Sequence, residues 1–163
     1  MGISVKLYPV NGQVTEENFD AVANEIELNK EKEVDLYKIT PDLYMLLANS
    51  PEPFEDSDSI EFHTIMGRIG LNSKDNFEDK YGYSLLSMLS TEGIKEVFDW
   101  IKSKRIDSES GFYSHFDKLN DEVKEMIDGF GSSAEELYSY FKELSALYKF
   151  SAENNCAIVF TLQ

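Results

Sequence analysis

The chain closes on an unbroken apolar run, Cys156-Ala157-Ile158-Val159-Phe160, set directly behind a long amphipathic stretch and two asparagines. Such a run reads as a strand, and a strand without a polar face is stable only when both of its sides are covered. The segment before it is the clearest helix in the chain. Ser133 stands as N-cap with Glu136 three residues on, the capping-box spacing. Leu137, Tyr140, Phe141, Leu144, Leu147, Tyr148 and Ser151 then form an apolar stripe to about Glu153, and Asn154-Asn155 suits the left-handed turn that ends helices. The lone Cys156 falls inside the apolar run, where desolvation raises a thiol pKa, and reads as an inert core side chain.

A second strand is expected at the other end of the chain. Ile3, Val5 and Leu7 alternate with Ser4, Lys6 and Tyr8, which describes a half-buried strand ending near Pro9. Asn11-Gly12 is a turn signal, and Thr15 can cap a helix with acidic Glu16 and Glu17 in its first turn and Phe19, Val22, Ala23 and Ile26 on one face. A charged connector, Asn29 to Glu33, follows. Thr40 as N-cap with Pro41 at the first helical position opens the next helix. Ser50-Pro51-Glu52-Pro53 stops it, and an acidic loop runs to Asp58. Residues 60–69 carry both patterns: Ile60 and Phe62 alternate as in a strand, whereas Phe62, Ile65, Met66 and Ile69 have helical spacing, and the reading favours helix. After a polar loop at 72–80, Tyr81 to Leu89 reads as a short extended segment or edge strand. Ser90 caps a helix through Ile94, Val97, Phe98 and Ile101. Another helix after Asp107 carries Phe112, Phe116 and Leu119 and is extended or re-started through Val123, Met126 and Ile127, before Gly129 and Gly131 break the chain.

Helices that do not alternate regularly with strands argue for α+β rather than a doubly wound sheet. The expected architecture is one helix-rich domain over 1–163, with the N- and C-terminal strands in one small sheet. The chain has 163 residues with a hydrophobic fraction of 42%, enough for a packed core. No apolar stretch approaches the roughly 20 residues that span a bilayer. The start lacks the charged and apolar regions of a signal peptide, and Lys6 stands where a myristoylation motif needs Ser or Thr. With one cysteine and no Asn-x-Ser/Thr sequon, the expected compartment is the reducing cytoplasm.

The formal charge is −16, from 15 basic and 31 acidic residues. Such a surface repels phosphate backbones and anionic lipid, so neither nucleic acid nor membrane is an expected partner, while solubility and attraction to a basic protein follow directly. Metal chemistry has little to work with. His63 and His115 are the only histidines, no zinc-ligand spacing occurs, and Asp56-Ser57-Asp58-Ser59 lacks the glycine and closing glutamate of a calcium loop. No Gly-x-Ser-x-Gly elbow and no phosphate-binding glycine motif is present. No catalytic residue, cofactor or metal is therefore assigned. His115, among aromatics, reads as a partly buried structural residue.

Several stretches, in order, resemble the YfbM-like family of small uncharacterised bacterial proteins. Met1-Gly2 leads into a strand. Asp35-Leu36-Tyr37-Lys38, followed by Leu43-Tyr44-Met45-Leu46-Leu47, is similar to the family's Asp-x-x-Lys-x-Trp-x-x-Leu/Ile-His-x-x-Leu segment. Tyr81-Gly82-Tyr83 with Leu89 to Val97 resembles its Tyr-Gly-x-Ala-x-x-Leu-Thr-x-Glu-x-Val segment. Phe141, Leu144, Tyr148, Ala152, Ala157 and Ile158 follow its closing pattern. Thr40-Pro41 replaces the family's tryptophan, and Tyr44 stands where a histidine is usual. The resemblance implies a compact α+β domain and brings no catalytic residues.

Three kinds of function follow. The first is a non-catalytic, cytoplasmic protein-binding domain, of inhibitor or immunity type, that offers Glu52, Glu55, Asp56 and Asp58 to a basic protein. The second is a small-molecule-binding protein or enzyme with an unrecognised pocket, for which His63, Tyr81 and Tyr83 supply aromatic walls and one titratable group. A homo-oligomeric structural unit is the third.

Overall fold

The computed structural model describes residues 4–15, 19–71 and 82–162, with no side chain described at 19–21, 85 and 86. Among the described residues there are five strands: β1 (Val5–Asn11), β2 (Val34–Asp35), β3 (Ile69–Gly70), β4 (Ser84–Leu89) and β5 (Cys156–Leu162). Among the same residues there are seven α-helices: α1 (Phe19–Leu28), α2 (Thr40–Ala48), α3 (Ile60–Met66), α4 (Thr91–Lys104), α5 (Glu109–Asp117), α6 (Asp121–Gly129) and α7 (Ala134–Glu153). The fold is α+β. All strand pairs are antiparallel, in the order β2-β1-β5-β4-β3.

The closing apolar run is the middle strand. β5 pairs with β1 from Val5↔Leu162 to Asn11↔Cys156 and with β4 on its other side. Its side chains alternate between two cores. Ile158 and Phe160 face α2, α4 and α7 together with Leu7 and Leu89. Ala157 and Val159 face α1 together with Val10, Met88, Val22 and Ile26. Both sides of the run are thus covered, as a strand without a polar face demands.

Cys156 differs from its expected place. It is half-buried, the first residue of β5, and burial begins at Ala157. The reason is topological: Cys156 pairs with Asn11 at the rim of the sheet, beside the turn that ends α7. Asn155 takes the left-handed conformation there, at φ 52°.

β1 also runs further than expected. Pro9 lies inside it, paired with Ile158. β2 pairs only with Lys6 and Leu7, so beyond Leu7 a proline removes no ladder bond on the β2 side. Tyr8 is buried under α1 rather than facing water, because the sheet has cover on both faces. The charged connector contains a 3₁₀ turn at Lys30–Lys32 and delivers β2, a strand too short for alternation to reveal.

The helix starts are local. Ser59, Ser90, Ser108 and Ser133 each accept a bond from the amide three residues on, at 3.1, 3.3, 3.1 and 3.1 Å, which satisfies one of the free amides of the first turn. Thr40 departs from its expected role: a 3₁₀ turn at Tyr37–Ile39 runs straight into α2, and the Thr40 hydroxyl donates to the Tyr37 carbonyl at 2.9 Å. Residues 60–69 hold both patterns in sequence, α3 and then β3 after Gly67 and Arg68. Tyr81 to Leu89 becomes β4 from Ser84 on. The expected acidic first turn of α1 at Glu16 and Glu17, the loop at 72–80 and Tyr81 lie outside the described residues. No helix among the described residues is long and apolar enough to cross a membrane.

Candidate functional site

The acidic loop is built on an aromatic base. α2 ends at Asn49 with φ 48°, and the chain must turn back within ten residues to reach Ser59, the cap of α3. Phe54 makes that return possible. It adopts φ 60° and packs its ring 5.3 Å from Tyr44 and 6.1 Å from Phe62. The amide of Asp56 donates to the Tyr44 hydroxyl at 3.2 Å, and the Ser59 hydroxyl donates to the Asp56 carbonyl at 2.8 Å. Within the loop, the amide of Asp58 donates to Asp56 Oδ1 at 3.0 Å and the Ser50 hydroxyl to Glu55 Oε2 at 2.9 Å. The backbone is held from below while Glu52, Glu55, Asp56 and Asp58 are exposed. Among the described residues none of the four is in an ion pair, and no three His, Cys, Asp or Glu side chains converge to hold a metal ion.

His63 belongs to the foundation of this loop. It is 7% exposed, and its Nδ1 accepts from Arg68 Nε at 3.3 Å. Arg68 in turn reaches Glu96 Oε2 at 2.8 Å. Burial first, and then the adjacent guanidinium, hold the imidazole pKa below its ordinary value. His115, as expected, is structural and half-buried, its Nε2 donating to the Leu46 carbonyl at 2.9 Å.

Tyr83 stands elsewhere. It packs in the core beneath α1, whereas α3 lies in the helical layer on the other side of the sheet. His63 and Tyr83 are therefore not brought together, and Tyr81 is outside the described residues. Tyr83 instead lines a cleft of about 230 Å³ with Tyr8, Lys6, Lys30 and Glu33. Its charges are internally compensated. The Tyr8 hydroxyl donates to Glu33 Oε2 at 2.5 Å, and Lys6 Nζ lies 3.3 Å from Glu33 and 3.7 Å from Asp35. Desolvation and the Glu33 hydrogen bond push the Tyr8 phenol well above its ordinary pKa. Asp35 also accepts from the Ser4 hydroxyl at 2.7 Å and the Tyr37 amide at 2.8 Å, so this family-like position ties β2 to β1.

A further cleft, of about 390 Å³, opens at the start of α2, lined by Lys38, Asp42, Phe130, Ser132 and Glu136 among others. Asp42 is 4% exposed and accepts a hydrogen bond from the Ser132 hydroxyl. Burial chiefly, and the Glu136 carboxylate, hold its pKa above the ordinary carboxylate value against the lowering effect of Ser132. Sequence reasoning passed over Asp42 as part of a helix start. Its partner is 90 residues away, a separation that no local pattern carries.

No protein-family model matches the sequence, and no curated protein matches it. Among solved structures, the chain is similar to the crystal structure of YfbM from Escherichia coli, a protein of unknown function. The identity is 12%, the TM-score 0.55, and the match covers 98% of this chain and 99% of that one. The resemblance seen in the sequence motifs thus extends to the fold of nearly the whole chain.

Proposed function

We propose that this is a non-catalytic protein-binding domain that presents its acidic surface, and the Glu52–Asp58 loop in particular, to a basic protein partner. The observation that carries the reading is the loop itself: four exposed carboxylates without ion pairs, on a backbone fastened to Tyr44 and Phe54. Unpaired surface carboxylates repel one another, so a loop that merely closed a helix connection would gain by interspersed cations. A pinned loop also loses less conformational freedom on association than a mobile one, which leaves more of the interaction energy for affinity. The net charge of −16 adds long-range attraction that raises the association rate for a basic partner. A cytoplasmic protein that covers a basic protein, in the manner of an inhibitor, fits these properties.

The test is capture from native lysate at low ionic strength and again at about 0.5 M salt, where surface charges are heavily screened. A basic protein retained at low salt, released at high salt, and captured weakly by a variant with E52Q, E55Q, D56N and D58N together supports the reading. Absence of any partner at low salt, or equal capture by the variant, removes it.

A further inference from the structure

We propose that the lysine-lined cleft between α4 and α7 binds a small phosphomonoester, with Lys142 and Lys149 as its counter-ions and the Phe98 ring beside its organic body. The cleft shares no residue with the acidic loop, and the proposal stands independently of the protein-binding reading.

Charge in this cleft runs against the rest of the molecule. The chain carries 15 basic residues against 31 acidic ones, yet Lys102, Lys142 and Lys149 line the cleft against one carboxylate, Asp107. Helical spacing produces the concentration. Lys142, Ser145 and Lys149 stand at i, i+3 and i+7 of α7 and so share a face, while Phe98 and Lys102 stand at i and i+4 of α4, which packs against it. Lys102 is 3.5 Å from Asp99 of its own helix. Among the described residues Lys142 and Lys149 are in no ion pair. Two uncommitted ammonium groups therefore meet on one wall of the cleft, in a chain where anions outnumber cations two to one.

A phosphomonoester carries about −1.5 to −2 charges at neutral pH and three acceptor oxygens. The two unpartnered lysines match that charge, and lysine serves phosphate as a point charge. Ser145, between them on the helix, adds a neutral donor. It is half-buried, and among the described residues its hydroxyl has no hydrogen bond. Ser103 and Ser139, by contrast, donate to carbonyls of their own helices at 2.7 and 2.9 Å. Phe98 supplies the apolar side: it is half-buried, and the Lys102 ammonium lies over its ring, 4.3 Å from the centroid. The volume of about 390 Å³ falls in the range of small-molecule sites. A cation would meet three ammonium groups. An anionic polymer or lipid surface would meet the −16 charge of the whole chain, whereas a small anion feels chiefly these lysines, because fields beyond about 8 Å are screened at physiological salt.

The test is titration of the full chain with phenyl phosphate, phenol and inorganic phosphate at about 0.15 M salt, followed by calorimetry and by amide chemical shifts. The expected result is saturable phenyl phosphate binding at least about tenfold tighter than phenol and at least about threefold tighter than inorganic phosphate. Shifts should centre on Phe98, Lys102, Ser145 and Lys149. K142Q and K149Q together, at exposed positions that do not endanger folding, should weaken phenyl phosphate at least about tenfold. Phe98→Ala should remove its advantage over inorganic phosphate. The fourfold loop variant should bind as the unaltered chain does, which separates this site from the acidic loop. Phosphatidylcholine vesicles carrying phosphatidate should not retain the chain. Equal affinity for phenyl phosphate and either comparison probe, binding unchanged by the two lysine substitutions, shifts centred elsewhere, retention on the vesicles, or no saturable binding up to about 10 mM overturns the proposal.

Discussion

The amide of Asp56 donates to the hydroxyl of Tyr44, 3.2 Å away, and so fastens the acidic loop to the helix that precedes it. Tyr44 itself is buried, at 1% exposure, and its ring packs against Phe54 and Phe62. It occupies the position at which the YfbM-like pattern has a histidine. Here the side chain works as a post for the loop.

Tyr44→Phe keeps the ring and removes only the hydroxyl. The expected loss is about 1 kcal/mol of stability, with hydrogen exchange at Asp56 rising by far more than at β5. Denaturant titration with residue-resolved exchange checks this. Uniform change across the chain, with no excess at Asp56, would show that the bond does not hold the loop.

Gly67 sets how closely α3 approaches the sheet. It has φ 76°, and a Cβ there would lie 2.1 Å from Ser87 Oγ and 2.9 Å from Phe160 Cδ2. Gly67→Ala combines backbone strain with a clash against the middle strand, and is expected to destabilise by roughly 3 kcal/mol. Gly129→Ala meets nothing within 4 Å at an ordinary φ and serves as the control. Urea unfolding of the two variants should separate them clearly.

Cys156 should react slowly. It is half-buried, and desolvation first, then the Glu25 carboxylate, push its thiol pKa up, while Lys32 works against them. Modification by a disulfide reagent at neutral pH is expected to be at least about tenfold slower in the folded chain than in urea. Glu25→Gln should speed it and Lys32→Gln should slow it. A folded-state rate equal to the unfolded one removes the account.

Asp42 makes stability depend on pH in a particular direction. Its pKa is raised in the folded protein, so the folded chain holds this proton more tightly than the unfolded one. The associated stability is fully present below the unfolded value of about 4 and is lost as pH rises toward the folded value. Asp42→Asn carries no such loss, so its stability relative to the unaltered chain should improve as pH rises from about 3 to 7. The opposite trend would mean that Lys38 and the helix dipole outweigh burial and Glu136.

The periodic helices were legible because their signals are local. Ser90 with Ile94 and Val97, and Ser133 with Leu137 and Phe141, contain both cap and buried face within two turns. β2 and β3 were not, since two residues cannot display alternation and are strands only through their pairing with β1 and β4. The acidic loop was legible from its prolines and carboxylates, although its pinning by Phe54 was not. The grouping of His63 with Tyr83 reflected proximity in chain order, which the sheet interposed between them does not respect.

By itself the sequence determined that Cys156 to Phe160 must be a strand covered on both sides, that serine-capped helices surround it, and that the surface is strongly negative. These follow from nearest-neighbour chemistry and from composition. Tertiary structure alone decided that this strand is the middle of five, that Cys156 sits at its rim, and that Asp42 meets Ser132 and Glu136 across a cleft. The reason is physical: burial and pairing between distant residues depend on how the whole chain closes, and that closure leaves no periodic trace along it.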